Sequence, residues 1–297
     1  MPPRGIPMSA LASSRSDPLW RQLLRNRRVL FGGGWLLLLV ILALFADWIA
    51  PHDPLDQDIV NTFKQPFWSA ENEPGFWLGT DNLGRDILSR LIHGTQIALI
   101  VAVVAAAAAG LIGTTLGLLA GYYGGKIDMA ISRLVEIWMA FPAVLLAIVL
   151  VAVIGASLTA VIVAVAVIDW TRFCRVVRAE TMVQKEQDYV ASAVTVGLTR
   201  GRILTREILP NILPLFLVLF TLEMGIAVIV EAILSYVGLS VSSDAPTWGG
   251  LVAEGRKYVN QAPWLLVFPI GAIVLTVLAL NALGDGLKDV IDPVMRK

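Results

Sequence analysis

Cysteine is nearly absent. Cys174 is the only one in 297 residues, which excludes an internal disulfide framework and a cysteine-built metal cluster. Histidine is scarce too: His52 and His93 leave little room for haem or zinc chemistry, and no metal site is expected. Charge is thin, with Asp, Glu, Lys and Arg making up 15% of the chain against roughly 25% in soluble proteins. That excludes a disordered chain, a nucleic-acid binder and an ordinary soluble enzyme. A phosphate-binding loop is missing as well. Gly124-Gly125-Lys126-Ile127 lacks both the spacing and the following Ser or Thr, so this chain is not expected to hold ATP in that manner. What fills the sequence instead is apolar, at 57% hydrophobic residues and a mean hydropathy of +0.74.

A membrane span needs about 20 apolar residues, and the chain offers several such runs. The first covers residues 29–46, behind an arginine-rich leader with no cleavage pattern after it, so it reads as a retained helix. The second covers 97–122. Apolar character then runs from 137 to 168, a block of 32 residues. As one helix it would measure about 48 Å, too long for a hydrocarbon core of about 30 Å. Gly155-Ala156-Ser157 is the natural break, which makes a hairpin of two helices, the second ended by Asp169 and Arg172 at an interface. A fifth run covers 212–237, interrupted by Glu223 and Glu231, and a sixth covers 264–283.

The expected fold is therefore an all-α integral membrane protein of six transmembrane helices with both termini cytoplasmic. With the N-terminus inside, 18 of the 23 basic residues fall on inner segments, as the positive-inside rule requires. The outer segments keep only Lys64, Arg85, Arg90, Arg256 and Lys257. Deleting the fourth span would put seven basic residues between Arg172 and Arg206 on the wrong side. The organisation that follows is a cytoplasmic segment 1–28, a first span 29–50 and an outer loop 51–94. A five-helix core 95–283 with an inner loop 185–210 and a cytoplasmic tail 284–297 complete it.

Some features carry two readings. In the second span Ala105, Ala109, Gly113, Gly117 and Gly121 recur every four residues, a small-residue face for close helix packing or for a pathway or subunit seam. Glu223 and Glu231 must face protein or a water-filled cavity rather than lipid, as a pathway or gate or as buried hydrogen-bonding groups. Arg172, Arg175 and Arg178 recur every three residues, as headgroup anchors or a partner contact. Pro142, Pro214 and Pro269 kink or start helices. Apolar Ile87, Leu88, Leu91 and Ile92 within 85–93 suit an amphipathic helix on the outer surface. The outer loop holds seven acids (Asp53, Asp56, Asp58, Glu71, Glu73, Asp81 and Asp86) against three basic residues. It suits either a docking surface or a cap on a pore mouth, with Arg85 and Asp86 holding the cap together.

The inner loop reads Asp188-Tyr-Val-Ala-Ser-Ala-Val-Thr-Val-Gly197, then Arg200, Arg202 and Arg206 beside Ile203, Leu204 and Ile208, then Leu209-Pro210. Asp188 suits a helix cap, Gly197 a turn that ends a helix, and Pro210 the start of the next span. Two short helices hinged at a glycine form a knob for another protein to grip. This pattern resembles the cytoplasmic signature loop of bacterial ABC importer permases: Glu-Ala-Ala, three residues, Gly, then Ile-x-Leu-Pro after a gap. Ala191-Ser192-Ala193 stand at the Glu-Ala-Ala positions, Gly197 at the glycine and Ile208-Leu209-Pro210 at the end. The leading Glu is absent; Asp188 and Glu186 are the nearest acids.

Four further motifs resemble the dipeptide/oligopeptide/nickel permeases. They are Leu78-Gly-Thr-Asp-Asn-Leu-Gly-Arg-Asp-Ile-Leu-Ser-Arg90, Glu231-Ala-Ile-Leu-Ser-Tyr-Val-Gly-Leu239, Thr247-Trp-Gly249 and Leu283-Gly-Asp-Gly-Leu-Lys-Asp-Val-Ile-Asp-Pro293. The long first outer loop is similar to that of the second, C-type, permease. The resemblance implies a type I ABC importer permease fold in the bacterial inner membrane. It implies as partners a homologous second permease, two cytoplasmic ATP-binding subunits that carry ATP and Mg, and a periplasmic or lipid-anchored substrate-binding protein. It further implies ATPase coupling through Asp188, Tyr189, Ala191, Ser192, Ala193, Gly197, Arg200, Ile208 and Pro210. Glu223 and Glu231 become pathway or gate candidates, and Asp81, Arg85 and Asp86 binding-protein contacts or outer cap. Peptides are the expected substrates, with nickel chelates or other small solutes as the alternative. An ion-coupled secondary transporter is the alternative from another class; it would want intramembrane ion sites and paired repeats.

Overall fold

The computed structural model describes residues 19–69, 74–241 and 245–291. Arg4, Arg15, Glu71, Glu73, Arg296, Lys297 and the end of the tail motif lie outside the described residues. Among the described residues the secondary structure is helical, with one isolated antiparallel bridge between Thr80 and Asp86. In chain order the helices are α1 (Leu19–Arg25), α2 (Arg27–Leu44), α3 (Ala46–Ile49), α4 (Ile87–Tyr123), α5 (Gly125–Met139) and α6 (Ala143–Ile154). They continue with α7 (Leu158–Lys185), α8 (Asp188–Thr195), α9 (Arg200–Arg202), α10 (Leu209–Tyr236), α11 (Trp248–Gly255) and α12 (Trp264–Ile291). Four helices are long and apolar enough to cross a membrane, or five if the bent pair α5–α6 counts as one span.

Local chemistry sets the helix starts. The Asn26 side chain accepts from the Arg28 amide at 2.9 Å and begins α2. Asp86 does the same for α4 through Ser89, and Ser157 for α7 through Ala160. Because Asp86 caps the helix and no breaker follows, α4 runs unbroken for 37 residues, about 55 Å. The amphipathic stretch expected to lie on the outer surface is thus the first turns of α4. Ile87 and Ile92 on it are buried.

Two other helices extend beyond the apolar runs of the sequence. The third apolar run is preceded by the helix α5, which meets α6 at 86°. Pro142 sits at that corner, where its missing N–H cannot continue a helix. The fourth apolar run ends at Asp169 and Arg172, but the helix that carries it does not. Helix α7 continues to Lys185, and in this extension Arg172 pairs with Glu223 and Arg178 with Asp128.

The small-residue face of α4 is a packing seam against α7. Ala105 and Ala109 are fully buried. A Cβ placed on Gly113 would strike the Trp170 carbonyl, one on Gly117 would lie 2.7 Å from the Cys174 carbonyl, and one on Gly121 2.7 Å from that of Arg178. Without a hydrophobic drive between helices in lipid, this backbone-to-backbone approach is what holds two spans together. Around it Val101, Ala147, Val151, Val161, Ala164 and Ala227 join α4, α6, α7 and α10 into one apolar core.

Candidate functional site

Three groups of residues stand out, and the knuckle after α7 is the first. Helix α8 buries Val190 and Ala193 against Leu118, Val177 and Ile203. Its other face is open: Asp188, Ala191 and Ser192 are exposed, and Tyr189 is half-buried with its hydroxyl donating to Gln184 at 2.7 Å. Gln187, not Asp188, stands at the cap position, and its side chain makes no capping bond. Asp188 falls in the first turn, where its charge still suits the helix dipole. Helix α8 ends by an amide of Leu198 donating to the Ala193 carbonyl at 3.1 Å, across Gly197 at φ +83°. That left-handed position is what the sequence needed glycine for. Val194 and Val196 flank the turn 57% and 82% exposed, with Arg200 and Arg202 beyond it.

The knuckle is built into a span. Ile203, Leu204 and Ile208 are buried beneath α8, and residues Ile203–Ile208 widen into a π-helical turn. Pro210 explains the widening. It has no N–H for the carbonyl four residues back, and its ring crowds that carbonyl. The helical path from Arg200 to Tyr236 is nonetheless continuous enough to act as one arm.

The second group closes the opposite end of α4. Asp81 accepts from the backbone amides of Leu83 and Arg85 and from the side chains of Arg85 (2.7 Å) and Arg90 (2.6 Å). Glu254 on α11 accepts from the same two guanidinium groups at 2.9 and 2.7 Å. Burial pushes the Glu254 carboxyl up, but the hydrogen bonds and charges of Arg90 and Arg85 outweigh it and hold its pKa below the ordinary range. Asp81, Arg85 and Asp86 are themselves buried. They tie the start of α4 to the loop before it, while Asp53, Asp56 and Asp58 stay on the surface. Arg90 and Glu254 were absent from the sequence reading of this cap. Arg90 closes the Leu78–Arg90 motif, which was the available signal for the first; nothing local pointed to Glu254.

The third group lies between α7 and α10. Arg172 reaches Glu223 at 3.4 Å, and Glu223 is 3% exposed. Both line a cavity of about 590 Å³ together with Leu215, Leu219, Arg175 and Met139. Arg178 grips Asp128 of α5 by two hydrogen bonds, one of them 2.6 Å. Arg172 and Arg178 therefore serve α10 and α5, which replaces the headgroup-anchor reading with intramolecular pairing. Glu231 differs from Glu223. Its carboxylate accepts from Ser235 at 2.5 Å and Ser240 at 3.2 Å. That satisfies a buried acid locally, as the hydrogen-bonding alternative required.

Residues 113–297 match the family described as binding-protein-dependent transport system inner membrane component. Residues 17–66 match the N-terminal transmembrane domain of oligopeptide transport permease C. The glutathione transport system permease protein GsiD of Pectobacterium atrosepticum is 40% identical over 277 residues, 93% of this chain and 90% of that protein. The dipeptide transport system permease protein DppC of Alkalihalophilus pseudofirmus is 38% identical over 277 residues, 93% of this chain and 89% of that protein. Among solved structures, the MetNI methionine ABC transporter in inward facing conformations superposes with a TM-score of 0.57 at 20% identity. The match covers 68% of this chain and 97% of that one.

Proposed function

This chain belongs to the family of binding-protein-dependent transport system inner membrane components, and from that premise we propose how it works. It is a multi-pass inner-membrane permease of an ATP-binding-cassette importer, and its cargo is peptide. The near full-length likeness to permeases named for glutathione and dipeptide transport carries the substrate class. The chain crosses the membrane six times, with the apolar half of α7 as the remaining span and both termini in the cytoplasm. It forms half of the pathway with a homologous second permease. Two cytoplasmic subunits bind and hydrolyse ATP, and a periplasmic or lipid-anchored protein delivers the peptide to the outer loop. Exposed Ile59 and Val60, next to Asp58 in the chain, and exposed Trp77 and Asp53 on the same loop offer that protein apolar and acidic side chains to meet. The chain itself needs no cofactor.

Coupling runs through the knuckle. Helix α8 sits in a groove of one ATPase subunit, with Ala191, Ser192, Val194 and Val196 on the gripped side and Arg200 beside it. Buried Ala193 and Ile208 and the half-buried Tyr189 fix α8 to the arm that begins at Pro210. When the ATPase pair closes, α8 moves as a rigid lever and α10 carries the motion into the bundle, so that the pathway opens to each side in turn.

Replacing Gly197 with isoleucine tests the lever. A β-branched side chain at φ +83° is strained, and the turn must re-form. In the reconstituted importer peptide uptake should fall about tenfold or more while ATP hydrolysis persists, because the 1.4 kcal/mol that separates tenfold rates is within the strain of one such residue. Wild-type values for both would refute the lever role.

A further inference from the structure

We infer that His93, with His52 beside it, is a proton-operated clasp that pins the end of the first span to the start of α4. The inference concerns the neck of the outer loop and stands apart from what the chain carries.

One face of α4 makes the join. Ser89, His93 and Gln96 follow at steps of four and three residues, so they share a side of the helix. Each meets the segment that leads out of α2. The Ser89 hydroxyl accepts from the His52 amide at 3.0 Å, and His93 Nε2 lies 3.1 Å from Asp47 Oδ1 of α3. The Gln96 side-chain amide donates to the Ala43 carbonyl at 2.8 Å. These contacts close the neck of the loop that leaves near His52 and returns at Asp86.

The surroundings of His93 call for a proton on both ring nitrogens. Its Nδ1 lies 2.9 Å from the Ser89 carbonyl, while Nε2 faces the Asp47 carboxylate. Carbonyl and carboxylate oxygens accept and do not donate, and a neutral imidazole has one N–H for the two of them. The imidazolium donates to both. Once the ring loses its second proton, one of the two contacts sets a lone pair against a lone pair, and the join to α3 or the ring's seat on α4 opens.

His52 is the second half of the clasp, and it stands open. Its ring stacks on Phe76 with centroids 4.7 Å apart, and Nδ1 stands 3.8 Å from Asp86 Oδ2. His52 Nδ1 and Asp86 Oδ1 are both buried without a hydrogen-bond partner. A proton on His52 adds the charge that draws the two together, and a closure of about 1 Å reaches the distance of a charge-assisted hydrogen bond. The other charged groups around this neck are engaged elsewhere. Arg85 and Arg90 turn to Asp81 and Glu254, and Asp53 accepts from the Leu55 amide. Asp47 and Asp86 are thus the acids that face the two rings. Histidine ordinarily changes charge between about pH 5 and 8, so the clasp tightens as the outer medium acidifies.

Hydrogen exchange in the purified importer reads the neck directly. The amides of residues 46–52 are followed by mass spectrometry at pH 6 and pH 8, each corrected for its intrinsic exchange rate. Wild type should be about fivefold better protected at pH 6, the upper range for an ion pair with one exposed partner. His93→Gln should lose that difference, and His52→Gln should shrink it. Asp47→Asn separates the proton from the packing. Its side-chain amide can donate to a neutral imidazole, so protection should persist at pH 8 and the advantage of pH 6 should vanish. A wild type equally protected at both pH values overturns the inference. So does a wild-type difference that survives in His93→Gln or in Asp47→Asn.

Discussion

At the scale of single residues a closed set of ion pairs ties the start of α4 to the loop before it and to α11. Asp81, Arg85, Arg90 and Glu254 alternate in sign, and each cation bridges both anions. Removing one partner of a buried pair leaves an uncompensated charge, at a cost of about 3 kcal/mol or more. Arg90→Ala should therefore lower the thermal midpoint of the purified complex by several degrees at neutral pH. A midpoint within about one degree of wild type would show the lattice to be slack. The effect depends on pH in a fixed direction. The Glu254 pKa is depressed below its ordinary 4.5 in the fold, so its stabilisation is complete above that value and is lost as pH falls through the folded pKa. The gap between wild type and Arg90→Ala should accordingly narrow in acid. The sequence revealed half of this cap. Asp81, Arg85 and Asp86 lie within one turn-rich motif, whereas Glu254 reaches Arg90 from 164 positions away. The same distance in sequence hid the inward roles of Arg172 and Arg178, whose partners Glu223 and Asp128 lie 51 and 50 positions off. A period of three marks a helix face without saying what the face meets.

At the scale of elements the decisive contact is α4 on α7. Its glycines were legible because their four-residue spacing survives in any helix, and the partner helix was not. Gly117→Leu should fail to accumulate as folded permease, since its Cβ would begin 2.7 Å from a carbonyl that cannot move without α7. Overpacking costs about 1–3 kcal/mol even where side chains can give. Gly33→Leu on α2, with no atom within 4 Å of a Cβ there, should accumulate normally. Detergent-extracted monodisperse protein measures both, and equal yields would contradict the seam. Apolar runs announced most of the spans because burial in lipid leaves its mark on composition alone. Pro142 marked the place of the corner before α6, though not its 86°. The apolar runs did not announce the length of α7, whose charged turns pair through Arg172 and Arg178 with distant Glu223 and Asp128.

At the scale of the whole molecule the chain is an incomplete object. Most of the apolar window of α2 faces outward, and only 11% of it is buried. Val194 and Val196 are exposed at the end of α8, just before the helical path from Arg200 to Tyr236 begins. Two exposed valines beside the Gly197 turn suit the proposed lever, at the point where it would be held. The resemblance in the inner loop was legible because Gly197 and Ile208-Leu209-Pro210 are spaced by the structure they make, a left-handed cap and a proline-widened helix entry. The rest of the machine belongs to other chains. The direct test places a cysteine at Val196. Native Cys174 is buried, so the new thiol is the accessible one. A short bifunctional cross-linker should join Val196→Cys to an ATPase subunit in assembled membranes, with a yield that changes between nucleotide-free and ATP-trapped states. Cross-links that never capture an ATPase in either state, in a complex that still imports, would contradict the account.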